Sequence, residues 1–326
     1  MTLNLLGHSD LILYCSCAPE GWTVTPTGSA PSELAAETTA TQTWTVNAPA
    51  GPAPIAVVAI QVNAASDTGT SQQTIAVALS QAPVQPPLLT TGNAGYVAGQ
   101  LGDTYALWEA GADMWGVGQH DDQYASIYAP NSFGDGSTMT ATVTSQDAVN
   151  QWTESGLVLR NDLTVPFSAG GYLALLVTPS QSVLLSSDAN NDGLLDTNSI
   201  KTGIKAPVTL KLARVGTNVT GSYSKDNGQT WTVVGTVALP SAAAKQDAGS
   251  VHVTHDVNKF GLANFSGLTY SPALPAAPSA PEPPSITVSG ADATVAWQCA
   301  EGTLPRRSTE ARSGPAVAEL KVASEF

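Results

Sequence analysis

The chain has 326 residues, a formal net charge of −14 and no Lys or Arg before Arg160. An acidic surface of this kind repels phosphate backbones and anionic lipid headgroups, so the composition argues against nucleic-acid and membrane partners, and no apolar run is long enough to span a bilayer. Hydrophobic residues make up 42% and charged residues only 12%, and the Thr, Ser, Gly and Asn that replace the charges favour strands and turns over surface helices.

The first residues, 1–18, lack the basic n-region of a signal peptide, and we interpret them as a non-native or disordered start. Three cysteines, Cys15, Cys17 and Cys299, cannot form an even disulfide framework, and their spacing does not match a zinc site. We therefore expect the cysteines to have no functional role.

Residues 19–85 contain short apolar or alternating runs, namely GWTVTP, QTWTVNAP, PIAVVAIQV and QTIAVALS. Clusters of Pro, Gly, Ser and Asn separate these runs at intervals typical of a small immunoglobulin-like sandwich. A Pro-rich segment follows, and we predict a stiff linker over residues 86–93.

Residues 94–271 carry a longer series of strand patterns, including STMTATVTS, SGLVLRN, GYLALLVTP and PVTLKLARVG. The Asn-Gly dipeptide of KDNGQ, between NVTGSYS and TWTVVGTV, predicts a hairpin. Because no stretch has sustained helical periodicity, we predict an all-β protein with a second, larger sandwich here. Residues 272–285 read as a Pro/Ala linker, and residues 286–326 as a truncated third module with a disordered tail.

Two segments resemble known families. GWTVTP followed by TQTWTVNAPAG resembles the immunoglobulin-like module that accompanies catalytic domains in bacterial α-galactosidases. ESGLVLRND, SSDANNDGLLD and LKLARVGTNVTGSYSKDNGQTW resemble the concanavalin-A-like (laminin-G-like) jelly-roll sandwich found C-terminally in actinobacterial glycoside hydrolases. The resemblance implies a β-sandwich fold and a secreted, extracellular bacterial setting, and it implies a ligand only weakly.

The string SDANNDGLLD has the oxygen ligands and the glycine of the front half of a calcium loop. We predict structural Ca²⁺ bound by side chains or carbonyls of Asp188, Asn190, Asp192, Leu194 and Asp196. Ser199 stands where such a loop has a bidentate Glu. The alternative is an Asp/Asn-rich turn that is closed by its own hydrogen bonds.

Aromatic residues are the candidate ligand contacts, because flat rings stack on the C–H faces of sugars while carboxylates and amides bind the hydroxyls. The candidates are Trp108, Trp115, Tyr124, Tyr128 and Trp152. Asp113, His120, Asp121 and Asp122 lie among the first four of them in sequence. The alternative for each ring is packing in the core or at the rim, and the polar surroundings of Trp152 favour its exposure.

Catalytic residues cannot be assigned from the sequence. Glycosidases use two carboxyl groups that face each other across the scissile bond, and residues 94–271 contain only Glu109 and Glu154, far apart in sequence. His252 and His255 would fall on opposite faces of a strand, which disfavours joint metal binding.

We therefore predict a non-catalytic carbohydrate-binding or spacer region of a secreted glycoside hydrolase, with polysaccharide or glycan as its partner. Two alternatives stay open. The chain could be a glycan-directed hydrolase with unidentified catalytic Asp residues, or a structural or adhesive module without affinity for sugars.

Overall fold

The computed structural model describes residues 2–6, 12–15, 20–27, 39–66, 69–93, 95–115, 122–165, 167, 170–180, 182–275, 285–289, 292–296 and 320–321. They belong to two compact units, residues 1–274 and 275–326. The described residues contain strands and turns but no helix, which confirms the predicted all-β class. Within them, therefore, no helix is present that could cross a membrane.

The described part of the first unit contains twenty strands. They are β1 (Thr2–Leu6), β2 (Ile12–Cys15), β3 (Thr23–Thr27), β4 (Thr39–Asn47), β5 (Ile55–Ser66), β6 (Gly69–Ser80), β7 (Leu89–Gly92), β8 (Val97–Leu101), β9 (Thr104–Glu109), β10 (Ala125–Gly134), β11 (Thr138–Gln146), β12 (Glu154–Arg160), β13 (Leu173–Thr178), β14 (Ser182–Ser187), β15 (Thr197–Thr202), β16 (Val208–Val215), β17 (Asn218–Ser224), β18 (Thr232–Ala238), β19 (Lys245–Val253) and β20 (Gly261–Ser271).

The main body is a sandwich of two antiparallel seven-stranded sheets. The front sheet has the order β15-β14-β13-β12-β19-β10-β7, and the back sheet has the order β18-β17-β16-β11-β20-β9-β8. Strand β7 comes from residues 89–92, so the front sheet includes part of the segment assigned above to a linker.

The two sheets bury different sequence patterns. In β16, VTLKLARV, buried and half-exposed residues alternate, because only one face of the back sheet packs on the core there. In β13, LALLVT, every residue is buried. One face of the front sheet packs on the inter-sheet core, and the other contributes Val158, Leu176 and Leu184 to a second hydrophobic cluster. Loop residues Met114 and Leu195 complete that cluster and cover the sheet's outer face.

The predicted Asn-Gly turn lies between β17 and β18. Asn227 and Gly228 both have positive φ angles, 56° and 85°, the conformation that the dipeptide favours. Asp226 closes the turn by accepting a hydrogen bond from the backbone N–H of Thr230 at 2.9 Å. Side-chain hydrogen bonds from Ser224 and Thr230 lower the pKa of Asp226 to about 2.

Strands β1–β6 form two three-stranded sheets, β1-β4-β3 and β2-β5-β6. Val24 and Val46 of the first sheet pack with Val58 and Val77 of the second. β1 and β2 come from the segment interpreted above as a non-native start. This arrangement is a small sandwich, and its assignment to the immunoglobulin-like class stays a prediction.

The second unit contains one described sheet. Strands β21 (Ser285–Ser289), β22 (Asp292–Ala296) and β23 (Leu320–Lys321) pair in that order. Cys17 and Cys299, and most of the predicted linker at 272–285, lie outside the described residues.

Candidate functional site

A cavity of about 250 Å³ opens on the outer face of the front sheet. Its floor consists of strand residues that point away from the inter-sheet core: Glu154 on β12, Leu184 and Ser186 on β14, and Asn198 on β15. Its rim consists of loop residues: Asp113, Trp115, Trp152 and His255. Aromatic rings, carboxyl groups, an amide, a hydroxyl and an imidazole therefore converge on one concave surface.

Trp115 is held at the rim by its neighbours. Met114 is fully buried, and the backbone of Trp115 forms a parallel bridge with Leu195. The carboxylate oxygen Oδ1 of Asp113 accepts hydrogen bonds from the backbone N–H groups of Met114 at 2.7 Å and of Trp115 at 3.0 Å. This short turn fixes the direction in which the Trp115 ring leaves the chain.

Trp152 stands on a tight turn between β11 and β12. The Asn150 side-chain oxygen accepts a hydrogen bond from the Trp152 N–H at 3.0 Å, and the Thr153 N–H donates to the Asn150 carbonyl at 3.1 Å. Trp152 is 46% exposed, as predicted from its polar surroundings. A large ring held by a rigid turn and left in solvent is available to a ligand.

Three titratable groups share the cavity. Burial, with a smaller contribution from the charge of Asp113, raises the pKa of Glu154 to about 8. His255 Nδ1 lies 3.2 Å from Asp113 Oδ2, and both side chains are partly exposed. Glu154 is therefore protonated at neutral pH, beside a carboxylate–imidazole pair.

Strand register brings these groups together. Glu154, at the start of β12, pairs with Val253, the last residue of β19, and His255 follows two residues later. The Asn150 Nδ2 group donates a hydrogen bond to the His255 carbonyl at 3.3 Å, and the Asp256 N–H donates to the Gly111 carbonyl at 2.9 Å. The 110–115 segment and the ends of β12 and β19 thus meet at one end of the front sheet.

Comparisons with known proteins give structural neighbours only. No protein-family model and no curated protein matches this chain. A functionally unknown protein from Saccharomyces cerevisiae matches at 16% identity with a TM-score of 0.45, over 58% of this chain and 97% of its own. The likeness is one of fold.

Two further neighbours are carbohydrate-related by name. The exoplasmic/lumenal domain of VIP36, in its Ca²⁺/Man3GlcNAc-bound form, matches at 12% identity and a TM-score of 0.35, over 57% of this chain and 85% of its own. The GH43 protein BlXynB from Bacillus licheniformis matches at 11% identity and a TM-score of 0.43, over 79% of this chain and 64% of its own.

The structure divides the five aromatic candidates into two groups. Trp115 and Trp152 line the cavity. Trp108, Tyr124 and Tyr128 are 7%, 6% and 4% exposed and take part in packing. Trp108 stacks on Phe260 at a centroid distance of 3.9 Å, and the Tyr124 hydroxyl lies 3.3 Å from Arg160 Nη1. Sugar contact by these three rings stays an untested prediction.

The charged residues near these rings also separate. Asp113 lines the cavity, whereas Asp122 forms a buried ion pair with Arg160 at 2.7 Å. His120 and Asp121 lie outside the described residues. Of the two histidines at 252 and 255, His252 is fully buried and hydrogen-bonded to the Ser155 hydroxyl, and His255 lies at the rim of the cavity.

The Asp/Asn-rich loop at 188–196 is closed by hydrogen bonds of its own. The Asp188 carboxylate accepts from the N–H groups of Asn191, Asp192 and Gly193 at 2.6–3.2 Å. Asp192 Oδ1 accepts from the Leu194 N–H at 3.0 Å, and Asp196 Oδ1 from the Ala189 N–H at 3.0 Å. Within the described part of the chain, no three His, Cys, Asp or Glu side chains are grouped closely enough to hold a metal ion.

Gly193 is required at its place in this loop. Its φ is +90°, and a Cβ atom there would lie 2.4 Å from the Phe167 carbonyl oxygen. Its own carbonyl accepts a hydrogen bond from Arg160 Nη2 at 3.0 Å. Gly193 was part of the pattern that predicted a calcium loop. This close contact with Phe167 is a second reason for a glycine at position 193.

Proposed function

We propose that this chain binds a neutral polysaccharide or glycan in the cavity between Trp115 and Trp152. The observation that carries the proposal is the placement of two indole rings at the rim of one cavity whose floor offers the polar groups of Glu154, Ser186 and Asn198. Sugar rings present C–H faces to aromatic rings and hydroxyl groups to carboxyls, amides and hydroxyls. None of the eight described residues that line the cavity is Lys or Arg, so these side chains do not favour acidic sugars.

We place this function in an extracellular setting, beside a catalytic domain of a glycoside hydrolase. The support for this setting is the resemblance of residues 19–85 and 94–271 to modules of secreted glycosidases. In that position a binding module raises the local concentration of substrate.

Trp152→Ala should abolish most of the sugar affinity. Affinity electrophoresis through gels that contain galactan, xylan, mannan or β-1,3-glucan should show retardation of the wild-type protein by at least one of them. We expect the variant to bind that polysaccharide at least about tenfold more weakly, because removal of a tryptophan that contacts a ligand commonly costs over about 1.4 kcal/mol of binding free energy.

Trp231→Ala is the matched control. Trp231 is a half-exposed tryptophan packed under Lys211 of the back sheet, 3.9 Å from the Lys211 ammonium nitrogen, and it does not line the cavity. Equal loss of retardation in both variants, or no retardation of the wild type by any of the four polysaccharides, would reject the proposed site.

We further propose that the 188–196 loop binds a structural calcium ion. The loop offers carboxylate and amide oxygens at Asp188, Asn190, Asp192 and Asp196, and the Leu194 carbonyl. An ionised carboxylate has about four lone-pair positions, so the hydrogen bonds within the loop leave acceptor capacity for a hard cation, and Asn190 and Asp192 are exposed to solvent.

Chelation and Asp192→Ala should each lower the melting temperature of the protein, and the chelator should have no further effect on the variant. The reason is that an ion bound only to the folded state stabilises it by mass action. A melting temperature that falls in Asp192→Ala but is insensitive to chelator in the wild type would instead support the hydrogen-bonded turn without metal.

A further inference from the structure

We propose that the same cavity hydrolyses the glycosidic bond of a neutral glycan, with Glu154 as the general acid and His255, beside the Asp113 carboxylate, as the general base. This inference rests on the proposed binding function. It assigns a reaction and catalytic residues to a site that the sequence alone does not reveal.

The positions of the three titratable residues in the cavity support this assignment. Glu154 belongs to the cavity floor, while Asp113 and His255 belong to its rim beside the two tryptophans. A sugar stacked on the rings would therefore lie in the same cavity as a carboxyl group and an imidazole. Hydrolysis of a glycoside requires one group that protonates the leaving oxygen and one that activates water or the anomeric carbon.

The raised pKa of Glu154 is consistent with its role as the general acid. Burial, followed by the charge of Asp113, raises the pKa of Glu154 to about 8. At neutral pH the group carries a proton that it can donate, as a general acid must.

His255 lies beside a carboxylate. Asp113 Oδ1 is occupied by two backbone N–H groups, and Asp113 Oδ2 lies 3.2 Å from His255 Nδ1. Nδ1 makes no hydrogen bond in the described part of the chain, so the carboxylate acts on the imidazole through its charge, and we assign Nε2 as the nitrogen that accepts the proton. The His255 backbone has φ of 59°, a sparsely populated conformation for a non-glycine residue and one that is common at functional sites.

The reaction is balanced by one water molecule. His255 Nε2 takes a proton from water as the water oxygen forms a bond to the anomeric carbon. The glycosidic C–O bond breaks, and its electron pair goes to the leaving oxygen, which takes the proton of Glu154. Proton transfer from His255 to Glu154 through solvent restores the starting state. A single displacement of this kind inverts the configuration at the anomeric carbon.

The test measures new reducing ends with the purified full chain on galactan, xylan, mannan and β-1,3-glucan. We expect the wild type to cleave a polysaccharide that retards it, and Glu154→Gln to lower kcat at least about 100-fold, the usual contribution of a general acid. Gln is neutral and close in shape to the protonated Glu, so the variant should fold and keep its affinity. Asp103→Asn, the same carboxyl-to-amide change in an exposed turn of the back sheet, is the control.

A second measurement separates acid catalysis from a structural role. On a nitrophenyl glycoside of the same sugar, whose leaving group needs little protonation, Glu154→Gln should lose much less activity than on the polysaccharide. His255→Gln should lose activity equally on both substrates, because the base acts on water in either case. A merely structural Glu154 would affect both substrates alike, and that result would overturn its assignment.

The outcomes distinguish this inference from the binding function on which it rests. Retardation without any release of reducing ends would overturn catalysis and leave the binding site intact. Release that is unchanged in Glu154→Gln would overturn the assigned acid. If there is neither retardation nor release, both proposals fail.

Discussion

Arg160→Met should lower the free energy of unfolding by about 3–5 kcal/mol, the usual cost of breaking a buried ion pair by removing one partner. The Arg160 side chain is fully buried and its Nη1 atom lies 2.7 Å from Asp122 Oδ2, on a carboxylate that is only 1% exposed. Removal of the guanidinium leaves that carboxylate in a low-dielectric environment, where the Phe167 N–H still donates to Oδ2 at 3.0 Å but no positive charge balances it.

The expected loss is large because Arg160 joins three parts of the fold. Its Nη2 group donates to the Gly193 carbonyl in the 188–196 loop at 3.0 Å. Its guanidinium carbon lies 4.3 Å from the centre of the Tyr172 ring. Met retains much of the aliphatic packing but none of these polar contacts. The measured loss of unfolding free energy therefore reflects the lost polar contacts and not a lost side-chain volume.

Urea denaturation followed by tryptophan fluorescence would measure the loss. Lys259→Ala is the control, because the Lys259–Asp256 pair is on the surface and should have little effect on stability. Adding Asp122→Asn to Arg160→Met should restore part of the stability, since the amide removes the uncompensated charge. A double variant no more stable than the single one would show that the cost does not come from the buried carboxylate.

The fold was largely predictable because its strands carry strong local patterns. Alternation in TMTATVTSQ and VTLKLARV, and the Asn-Gly turn after β17, depend on neighbours in sequence and on one buried face. The burial of both faces of the front sheet was harder to predict from the sequence. A fully apolar strand such as LALLVT fits any strand buried on both faces and does not show what covers it.

The candidate site was only partly predictable. Trp152 could be placed in solvent because DAVNQWTES is polar, and the structure agrees. Trp108 and Tyr124 are also aromatic, yet they are buried in hydrophobic clusters that include residues from distant parts of the chain. Ring type alone does not distinguish a sugar platform from a core residue.

The titratable cluster could not be found from spacing. Asp113, Glu154 and His255 are widely separated in sequence, and only the pairing of β12 with β19 places the latter two side by side. The count of two Glu residues argued against catalysis, but a residue count does not show how burial shifts the pKa of one Glu or which other titratable groups lie near it. Predicting that β12 pairs with β19, and in which register, would have placed Glu154 near His255.

Stability should fall as the pH rises from about 6.5 to 8, and Glu109→Gln should weaken this dependence. Glu109 is fully buried, and its Oε1 atom accepts a hydrogen bond from the Thr254 N–H at 2.6 Å. Burial raises the pKa of Glu109 from 4.5 to about 8, against the opposing effect of the hydrogen bonds from Thr254.

The direction follows from proton binding in the two states. Between pH 4.5 and 8 the folded protein retains the Glu109 proton and the unfolded chain has released it, so unfolding becomes easier as the pH rises. Buried His252 acts in the opposite direction: burial lowers its pKa from 6.5 to about 4, so its contribution to stability is lost as the pH falls through that range. The two effects oppose each other below pH 6.5, and above it the His252 contribution is complete.

In the window from about pH 6.5 to 8, Glu109 alone should lower the free energy of unfolding by about 1–2 kcal/mol, because a full proton difference contributes about 1.36 kcal/mol per pH unit. Glu154, whose pKa is also raised to about 8, adds to the slope in the same direction. Urea denaturation at about pH 6.5, 7.2 and 8 should therefore show a steep decline for the wild type and a shallower one for Glu109→Gln.

Glu109→Gln removes the titratable carboxyl group but keeps the hydrogen bond, because the amide oxygen of the introduced glutamine can still accept from the Thr254 N–H. Asp103→Asn, the same carboxyl-to-amide change in an exposed turn, is the control and should follow the wild-type curve. A wild-type stability that is constant over this window, or a Glu109→Gln slope equal to that of the wild type, would contradict the prediction. Either result would show that Glu109 is ionised in the folded protein and that its buried environment is more polar than its neighbours indicate.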